Sequence, residues 1–268
     1  MDERLQRRVQ RYGWDKASSY YEIFWRNQLK PAKELLLEMA CLRYGEKVLD
    51  VACGTGLVSF EAMEKVGESG FVTGTDISEN MIVYAQSQSK ENKIRFMRMD
   101  AEELQFENEQ FDVALCGLGL MYFPNPIKGL MEMHRVLKPG GRAVAAVWGK
   151  REACGWASIF GIVDSEVASE VCPMFFNLGN EEMLDMSFRK AGFHSVAVRR
   201  ISTTLHYANA REALGAAFEG GPVALAYHKF SQTIKEKVHD AYLRSIGPYK
   251  NGDGYEVPGE FVIARGLK

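Results

Sequence analysis

The residues with the clearest chemistry are one glycine turn and three aspartates. Ala52-Cys53-Gly54-Thr55-Gly56 follows an apolar strand pattern over Lys47–Val51 and precedes a helical pattern over Leu57–Val66. A strand fed through such a turn into a helix sets backbone N–H groups beside a ligand, at the positive end of the helix dipole. Gly54 and Gly56 carry no Cβ, so a ligand can approach the backbone closely there. A G-x-G turn alone also serves as a plain strand-to-helix connection; the aspartates around it decide the reading. Asp50 sits on the strand before the turn, where it can hold a positive group. Asp76 ends the next strand pattern, where a carboxylate accepts both hydroxyls of a ribose. Asp100 lies just past the third, placed to receive the exocyclic amine of an adenine. Three carboxylates at successive strand ends converge on one crevice, which is where open α/β sheets bind ligands.

Only a parallel sheet brings such residues together, and the surrounding pattern supplies one. Over residues 47–148, short β-branched or apolar runs alternate with helical patterns, as stacked βα units do. Strands are expected at 47–51, 70–75, 94–97, 111–116 and 142–148, with helices at 57–66, after an N-cap at Ser78, and at 127–137. Lys138-Pro139-Gly140-Gly141 breaks the last of these helices and turns the chain into the fifth strand. After Trp148 the rhythm changes. Helical character is expected over 155–171, ended by Cys172-Pro173, and again over 180–191. A strand over 195–203 follows, then helices over 211–218 and 231–246 around the Gly220-Gly221-Pro222 break. The last strand, 259–265, comes after a glycine-rich turn at 251–254, and residues 14–40 read as largely helical.

Composition narrows the classes. A chain of 268 residues makes one large domain, or one domain with a cap. Its 46% hydrophobic and 25% charged residues are ordinary for a globular protein. With 33 basic against 35 acidic residues there is no basic excess of the kind nucleic-acid binders carry. Residues 1–11 alternate charges, unlike a secretory signal, and no run approaches the roughly 18 apolar residues of a membrane span. The five cysteines are odd in number and include no C-x-x-C pair, so neither a disulfide framework nor a metal site is expected. A cytoplasmic protein is the expectation.

The motifs themselves carry a family resemblance. Val48-Leu49-Asp50-Val51-Ala52-Cys53-Gly54-Thr55-Gly56 resembles the first motif of the class I S-adenosylmethionine-dependent methyltransferases. Gly74-Thr75-Asp76-Ile77-Ser78 with Met81 resembles their second, Asp100-Ala101-Glu102 their third and Phe111-Asp112-Val113 their fourth. Arg135-Val136-Leu137-Lys138-Pro139-Gly140-Gly141 resembles the approach to their fifth strand. Within that superfamily the style is similar to the ubiquinone/menaquinone-biosynthesis methyltransferases and their small-molecule relatives. The likeness is close over 47–148 and loose elsewhere.

That resemblance implies an α/β fold: a Rossmann-like, seven-stranded, mostly parallel sheet with an antiparallel last strand and helices on both faces. It implies one methyltransferase domain over 1–268, with a helical lid at 1–45, a cofactor-binding core at 46–149, and an acceptor cap plus the last strands at 150–268. The implied cofactor is S-adenosylmethionine. Ala52, Gly54, Thr55 and Gly56 would pass under its methionine part, near Asp50. Asp76 would hold the ribose, Ile77 and Met81 would pack on the adenine, and Asp100 and Ala101 would read the adenine edge. Cys116 or Gly117 would face the sulfonium. The stretch from Trp14 to Tyr21 resembles the segment that lids the cofactor in quinone-type relatives. Tyr20 and Tyr21 would reach the cofactor carboxylate or the acceptor, or would form an aromatic packing face with Phe24 and Trp25.

Methyl transfer from a sulfonium is an in-line displacement, so the enzyme mainly aligns and desolvates. A base is needed only when the acceptor must lose a proton. His206 and His228, beside Tyr207 and Tyr227, are the candidates for that role. The superfamily's nucleic-acid amino methylases carry an Asx-Pro-Pro-aromatic run after the fourth strand; here the position reads Cys116-Gly117-Leu118-Gly119. The expected partner is therefore a small molecule. An aromatic- and methionine-rich C-terminal third (Trp156, Phe160, Met174, Phe175, Phe176, Tyr207, Phe218, Tyr227) suits a flat apolar acceptor such as a quinone, phenol or polyketide, or is simply core. Two other functions remain open at this point. An NAD(P)-dependent oxidoreductase would want a third glycine where Ser59 stands and has no role for Asp50 or Asp100. A non-catalytic S-adenosylmethionine-binding subunit would keep the pocket without turnover. Oligomeric state is left open.

Overall fold

Apolar strand runs that alternate with helices can bury both sheet faces only when the helices pack around the sheet. A computed structural model describes residues 3–89, 94–168, 172 and 174–268 and has that arrangement. Helices α1 (Glu3–Trp25) and α2 (Lys30–Ala40) come first. They are followed by β1 (Lys47–Val51), α3 (Leu57–Val66), β2 (Phe71–Asp76), α4 (Glu79–Gln88), β3 (Ile94–Arg98), β4 (Phe111–Gly117), α5 (Pro126–Val136) and β5 (Leu137–Trp148). The remainder comprises α6 (Ser158–Asp164), α7 (Met183–Lys190), β6 (His194–Tyr207), α8 (Ala210–Leu214), α9 (Ala224–Tyr227), α10 (Gln232–Ser245), β7 (Lys250–Asn251) and β8 (Gly254–Leu267).

The strand order is β3-β2-β1-β4-β5-β8-β6. Strands β1 to β5 pair in parallel, and β8 runs antiparallel to both β5 and β6. The central strands are apolar along their middles: Val48, Leu49, Val113, Ala114 and Leu115 are fully buried. Helix α3 packs on β1 and β2, α4 on β2 and β3, and α2 on β4, β5 and β8. Strand β1 has β2 on one side and β4 on the other, so the order reverses there and opens a crevice beyond the strand C-termini.

Several expectations shift. The sheet has eight strands rather than seven, because β7 pairs with β8 through Lys250–Tyr255 and Asn251–Gly254. The glycine-rich turn is thus a hairpin, with Gly252 at φ 58°. The breaker Lys138-Pro139-Gly140-Gly141 forms a bulge inside β5: Phe111 pairs with Leu137, then Val113 with Arg142. Helix α1 spans Glu3–Trp25, starting well before the expected residue; Arg7 pairs with Glu3 within the helix and with Glu102 beyond β3. The helix expected over 155–171 shortens to α6; residues 169–171 and Pro173 of that expectation lie outside the described residues. The one expected over 211–218 splits into α8 and a π-helical turn, Gly215–Glu219. Among the described residues no helix is long and apolar enough to cross a membrane.

Candidate active site

The parallel register aligns the ends of β1, β2 and β3, and with them the aspartates. Asp50, on β1, is buried; its Oδ2 accepts a hydrogen bond from Ser59 Oγ of α3 at 2.6 Å, while Oδ1 has no partner. Burial pushes its carboxyl up to about 7, with the Ser59 hydrogen bond opposing and the Asp76 charge adding. Asp76, at the end of β2, accepts the Gly54 N–H on Oδ2 and the Ser78 N–H on Oδ1, both at 2.9 Å. Burial raises it to about 6 against those two bonds. Asp76 therefore ties the glycine turn to the start of α4, whose N-cap Ser78 accepts the Met81 N–H at 3.2 Å. Gly54, at φ 54°, has open space where a Cβ would stand. Gly56 does different work: at φ 89° it starts α3, and a Cβ there would lie 2.8 Å from Phe60.

Three adjoining cavities open on this edge. The first, about 730 Å³, is lined by Gly54, Asp76, Ile77, Met81, Asp100 and Ala101. The second, about 540 Å³, contains Asp50, Gly54 and Thr55 and is also lined by Arg26 and Lys33, which pair with Glu22 and Glu61. The third, about 330 Å³, is walled by the aromatic rings of Trp14, Trp25, Trp148, Trp156 and Phe175. Tyr21 and Leu118 line all three and so mark their junction. Ala52 (φ 55°) and Leu118 (φ 63°) both hold the left-handed conformation, which costs a non-glycine residue about 1–3 kcal/mol. Such strain clusters where a ligand must be met, and both residues line the first two cavities.

Helix α1 roofs the first cavity and is held by two polar clasps. Near its start, Arg7 reaches Glu102 at 2.5 Å and Asp100 at 3.0 Å. Buried Glu102 also accepts the Asn125 N–H at 3.0 Å. Farther along, Asp15 accepts hydrogen bonds from Ser78 Oγ at 2.6 Å and the Asn80 N–H at 3.1 Å. Trp14 stands edge-on to Tyr21 and Tyr122, with centroids 5.7 and 5.0 Å away. Burial, and then the charges of Asp76, Glu22 and Asp50, raise the Tyr21 phenol far above its ordinary value, so it stays neutral.

Known proteins share this framework. A family model described as the ubiE/COQ5 methyltransferase family matches residues 22–207. The chain belongs to the ubiE/COQ5 methyltransferase family. It is 34% identical over 183 residues to a demethylmenaquinone methyltransferase of Staphylococcus aureus (strain JH9), covering 62% of this chain and 75% of that protein. Its fold is similar to a Haemonchus contortus phosphoethanolamine N-methyltransferase solved with S-adenosyl-L-methionine (TM-score 0.60, 20% identity, 95% of this chain and 57% of that one). It is also similar to a methyltransferase from Aquifex aeolicus (TM-score 0.53, 22% identity, 69% and 91%). As a ubiE/COQ5-family enzyme, the chain is an S-adenosylmethionine-dependent methyltransferase.

In this methyltransferase the crevice gathers Asp50, Ala52, Gly54, Thr55, Asp76, Ile77, Met81, Asp100, Ala101 and Gly117 on the first two cavities. Five expected positions fall elsewhere, Gly56 among them: it lines none of the three cavities and serves the start of α3. Tyr20 lines none of the three cavities, whereas its neighbour Tyr21 lines all of them; one residue along a helix turns a side chain by about 100°. Cys116 is fully buried beneath Gly117, on the alternate side of β4, and burial pushes its thiol well up. His206 is exposed on β6, 3.8 Å from Glu256, and His228 is exposed at the end of α9. Neither histidine lines the three cavities. Conversely, Arg7, Leu118 and Tyr122 had no signal in the sequence beyond lying on an amphipathic helix or just past a strand, and Asp15 had only its place in the lid-like stretch from Trp14 to Tyr21. Of the C-terminal aromatics, Trp156 and Phe175 reach the third cavity, Phe160 and Phe176 pack behind them, and Met174 is exposed.

Proposed function

We propose that this enzyme transfers the methyl group of S-adenosylmethionine to a flat, apolar small molecule in the cytoplasm, with cofactor in the first two cavities and acceptor in the third. The observation that carries the reading is the meeting of all three cavities at Tyr21 and Leu118. The cofactor fits the polar groups left over: Asp50 Oδ1 and Thr55 Oγ1 are buried without partners, and both residues line the second cavity. Asp50 would hold the methionine ammonium, and Thr55 with the charge of Arg26 and Lys33 would receive its carboxylate. Asp76 would take the ribose hydroxyls on its remaining lone pairs, Ile77 and Met81 would sandwich the adenine, and Asp100 and Ala101 would meet its edge. When bound, S-adenosylmethionine supplies a methyl group activated on a sulfonium.

The chain's own contribution is alignment and dryness. The walls of the third cavity are aromatic or aliphatic side chains, glycine and proline, so an acceptor there is desolvated and stacked. Leu118 and the neutral Tyr21 phenol would set the line of approach. His206 and His228 stand outside this scheme, since neither lines the three cavities. The proposal treats residues 1–268 as one unit, with 1–45 as lid, 46–149 as cofactor core and 150–268 as acceptor cap, because α1 roofs the first cavity and Trp156 and Phe175 wall the third.

Calorimetric titration with S-adenosylmethionine, S-adenosylhomocysteine and NADH tests it, followed by transfer of labelled methyl to a panel of oxygenated aromatic compounds. Binding of the first two with labelled product is the expected result. Binding of NADH alone overturns the reading. Cofactor binding without any transfer across the panel favours a non-catalytic subunit.

A further inference from the structure

Strand β6 ends the sheet, with β8 on one side and, among the described residues, no strand on the other. Its register with β8 is unbroken from Ala197 to Tyr207, so its backbone groups alternate, one residue facing β8 and the next facing outward. Gln28, between α1 and α2, shows which residues face outward. Its side-chain carbonyl accepts the His206 N–H at 2.9 Å and its amide donates to the His206 carbonyl, so the side chain stands where a neighbouring strand would. By the same alternation the N–H and C=O groups of Val198, Arg200, Ser202 and Thr204 point outward, and they have no partner among the described residues. All four residues are exposed.

This free run has defined ends. Gln28 closes it at His206, and a bulge closes it at the other end, where the register shifts between His194 and Ala197 and Ser195 has φ 49°. Charged side chains commonly keep neighbours off an open edge. Here both arginines are turned onto the protein's own acceptors: Arg199 donates to Glu38 at 2.6 Å, and Arg200 to Glu260 and the Gly179 carbonyl. Beside the run lies a groove of about 1500 Å³, lined by Ser202 and Thr204 on one side and by Ile23 and Phe24 on the other.

A second copy of β6 fits this edge, because a two-fold axis sets identical strands antiparallel. Outward residues must meet outward residues, which leaves few registers. Pairing centred on Arg199 or on Arg200 sets an arginine directly against itself. Centred on Ser202, it brings Val198 to the position that Gln28 already fills. Centred on Ile201, Val198 meets Thr204 and Arg200 meets Ser202 in both directions, so all four outward residues pair and no like charges are opposed. In that register each strand reaches its own bulge just where the other copy's edge is closed by Gln28.

We propose that β6 pairs with β6 of a second copy about a two-fold axis at Ile201, joining two eight-stranded sheets into one. The two Ile201 residues then form a non-hydrogen-bonded pair, with Cα atoms about 4.5 Å apart and within reach of a disulfide. Two Thr203 residues are offset by four positions, about 13 Å along the strand. The pairing is independent of which cavity holds cofactor and which holds acceptor.

Sedimentation of the full chain tests the pairing, and cysteine cross-linking tests its register. The parent is expected to sediment with twice the mass of one chain. Ser202→Pro removes an outward donor and leaves the β8 ladder intact, and is expected to halve that mass while keeping a cooperative melting transition. In a Cys41→Ser background, which removes the exposed native thiol, Ile201→Cys is expected to cross-link into a covalent dimer under mild oxidation and Thr203→Cys is not. The cysteine pair carries the test if the proline variant does not fold. A parent still single at about 100 μM, which leaves the edge to a strand of another protein, overturns the proposal. So does a folded Ser202→Pro variant that stays double, or Thr203→Cys cross-linking as readily as Ile201→Cys.

Discussion

In the proposed site, Asp76 would serve both protein and ligand through the same two oxygens. Its bonds to the Gly54 and Ser78 N–H groups set the shape of the glycine turn, and its remaining lone pairs face the first cavity. Asp76→Ala is therefore expected to weaken S-adenosylmethionine by about tenfold or more, through two lost charge-assisted contacts. Calorimetry decides it; an unchanged Kd removes the ribose assignment. Asp76, Asp50 and Gly54 were legible as residues because strand, turn and helix follow directly in sequence, so spacing alone places them at one edge. Tyr21 was not distinguishable from Tyr20 by the same means. Which face of α1 turns inward depends on Arg7 and Asp15 finding partners just past β3 and at the start of α4, contacts between segments far apart in the chain.

At the scale of elements, α1 was expected as a helical lid, and only the fold shows how it is tied down. Its docking rests on polar clasps: the Arg7 guanidinium on Asp100 and Glu102, and the Asp15 carboxylate on the N-terminus of α4. Arg7→Met leaves Glu102 buried opposite an apolar side chain. A loss of about 1–3 kcal/mol is expected, below the range for fully buried pairs because Arg7 and Asp100 are partly exposed. Urea denaturation measures the loss, and hydrogen exchange should show α1 losing protection first; α1 exchange unchanged from the parent would remove its role as a clasped roof. The β5 bulge and the split of α8 into a π-helical turn follow the same rule. Proline and glycine announce a break locally, but whether the chain bends away or keeps pairing is decided by the neighbouring strand or helix.

Across the whole molecule, the buried carboxylates link stability to cofactor binding. Unfolded, Asp50 and Asp76 ionise near their ordinary value of about 4. Folded, burial holds their protons up to about 7 and about 6. Between those limits the folded chain binds more protons than the unfolded one, so the cofactor-free protein gains stability from these two groups as pH falls from about 7 toward 4. Glu132 works oppositely: its hydrogen bonds from Arg135 hold it below its ordinary value, and that stabilisation is lost as pH falls through the ordinary carboxylate range. The cofactor, with a positive sulfonium and ammonium, favours the ionised aspartates. The thermal shift caused by S-adenosylmethionine is thus expected to shrink between pH 7.5 and 5.5, while the free protein's melting temperature rises or holds. Melting curves across that range check both trends, and a pH-independent shift would separate these aspartates from the cofactor. The sequence by itself determined the class of sheet, the cofactor family and most of the crevice's polar residues, because each is encoded in contiguous strand–turn–helix units with a fixed period. Tertiary structure alone decided how the expected lid docks, the junction at Tyr21 and Leu118, and the shape of the aromatic chamber. Those surfaces are assembled from α1, the loop after β4, the end of β5 and the segment around Gly220, and their mutual packing has no local signature.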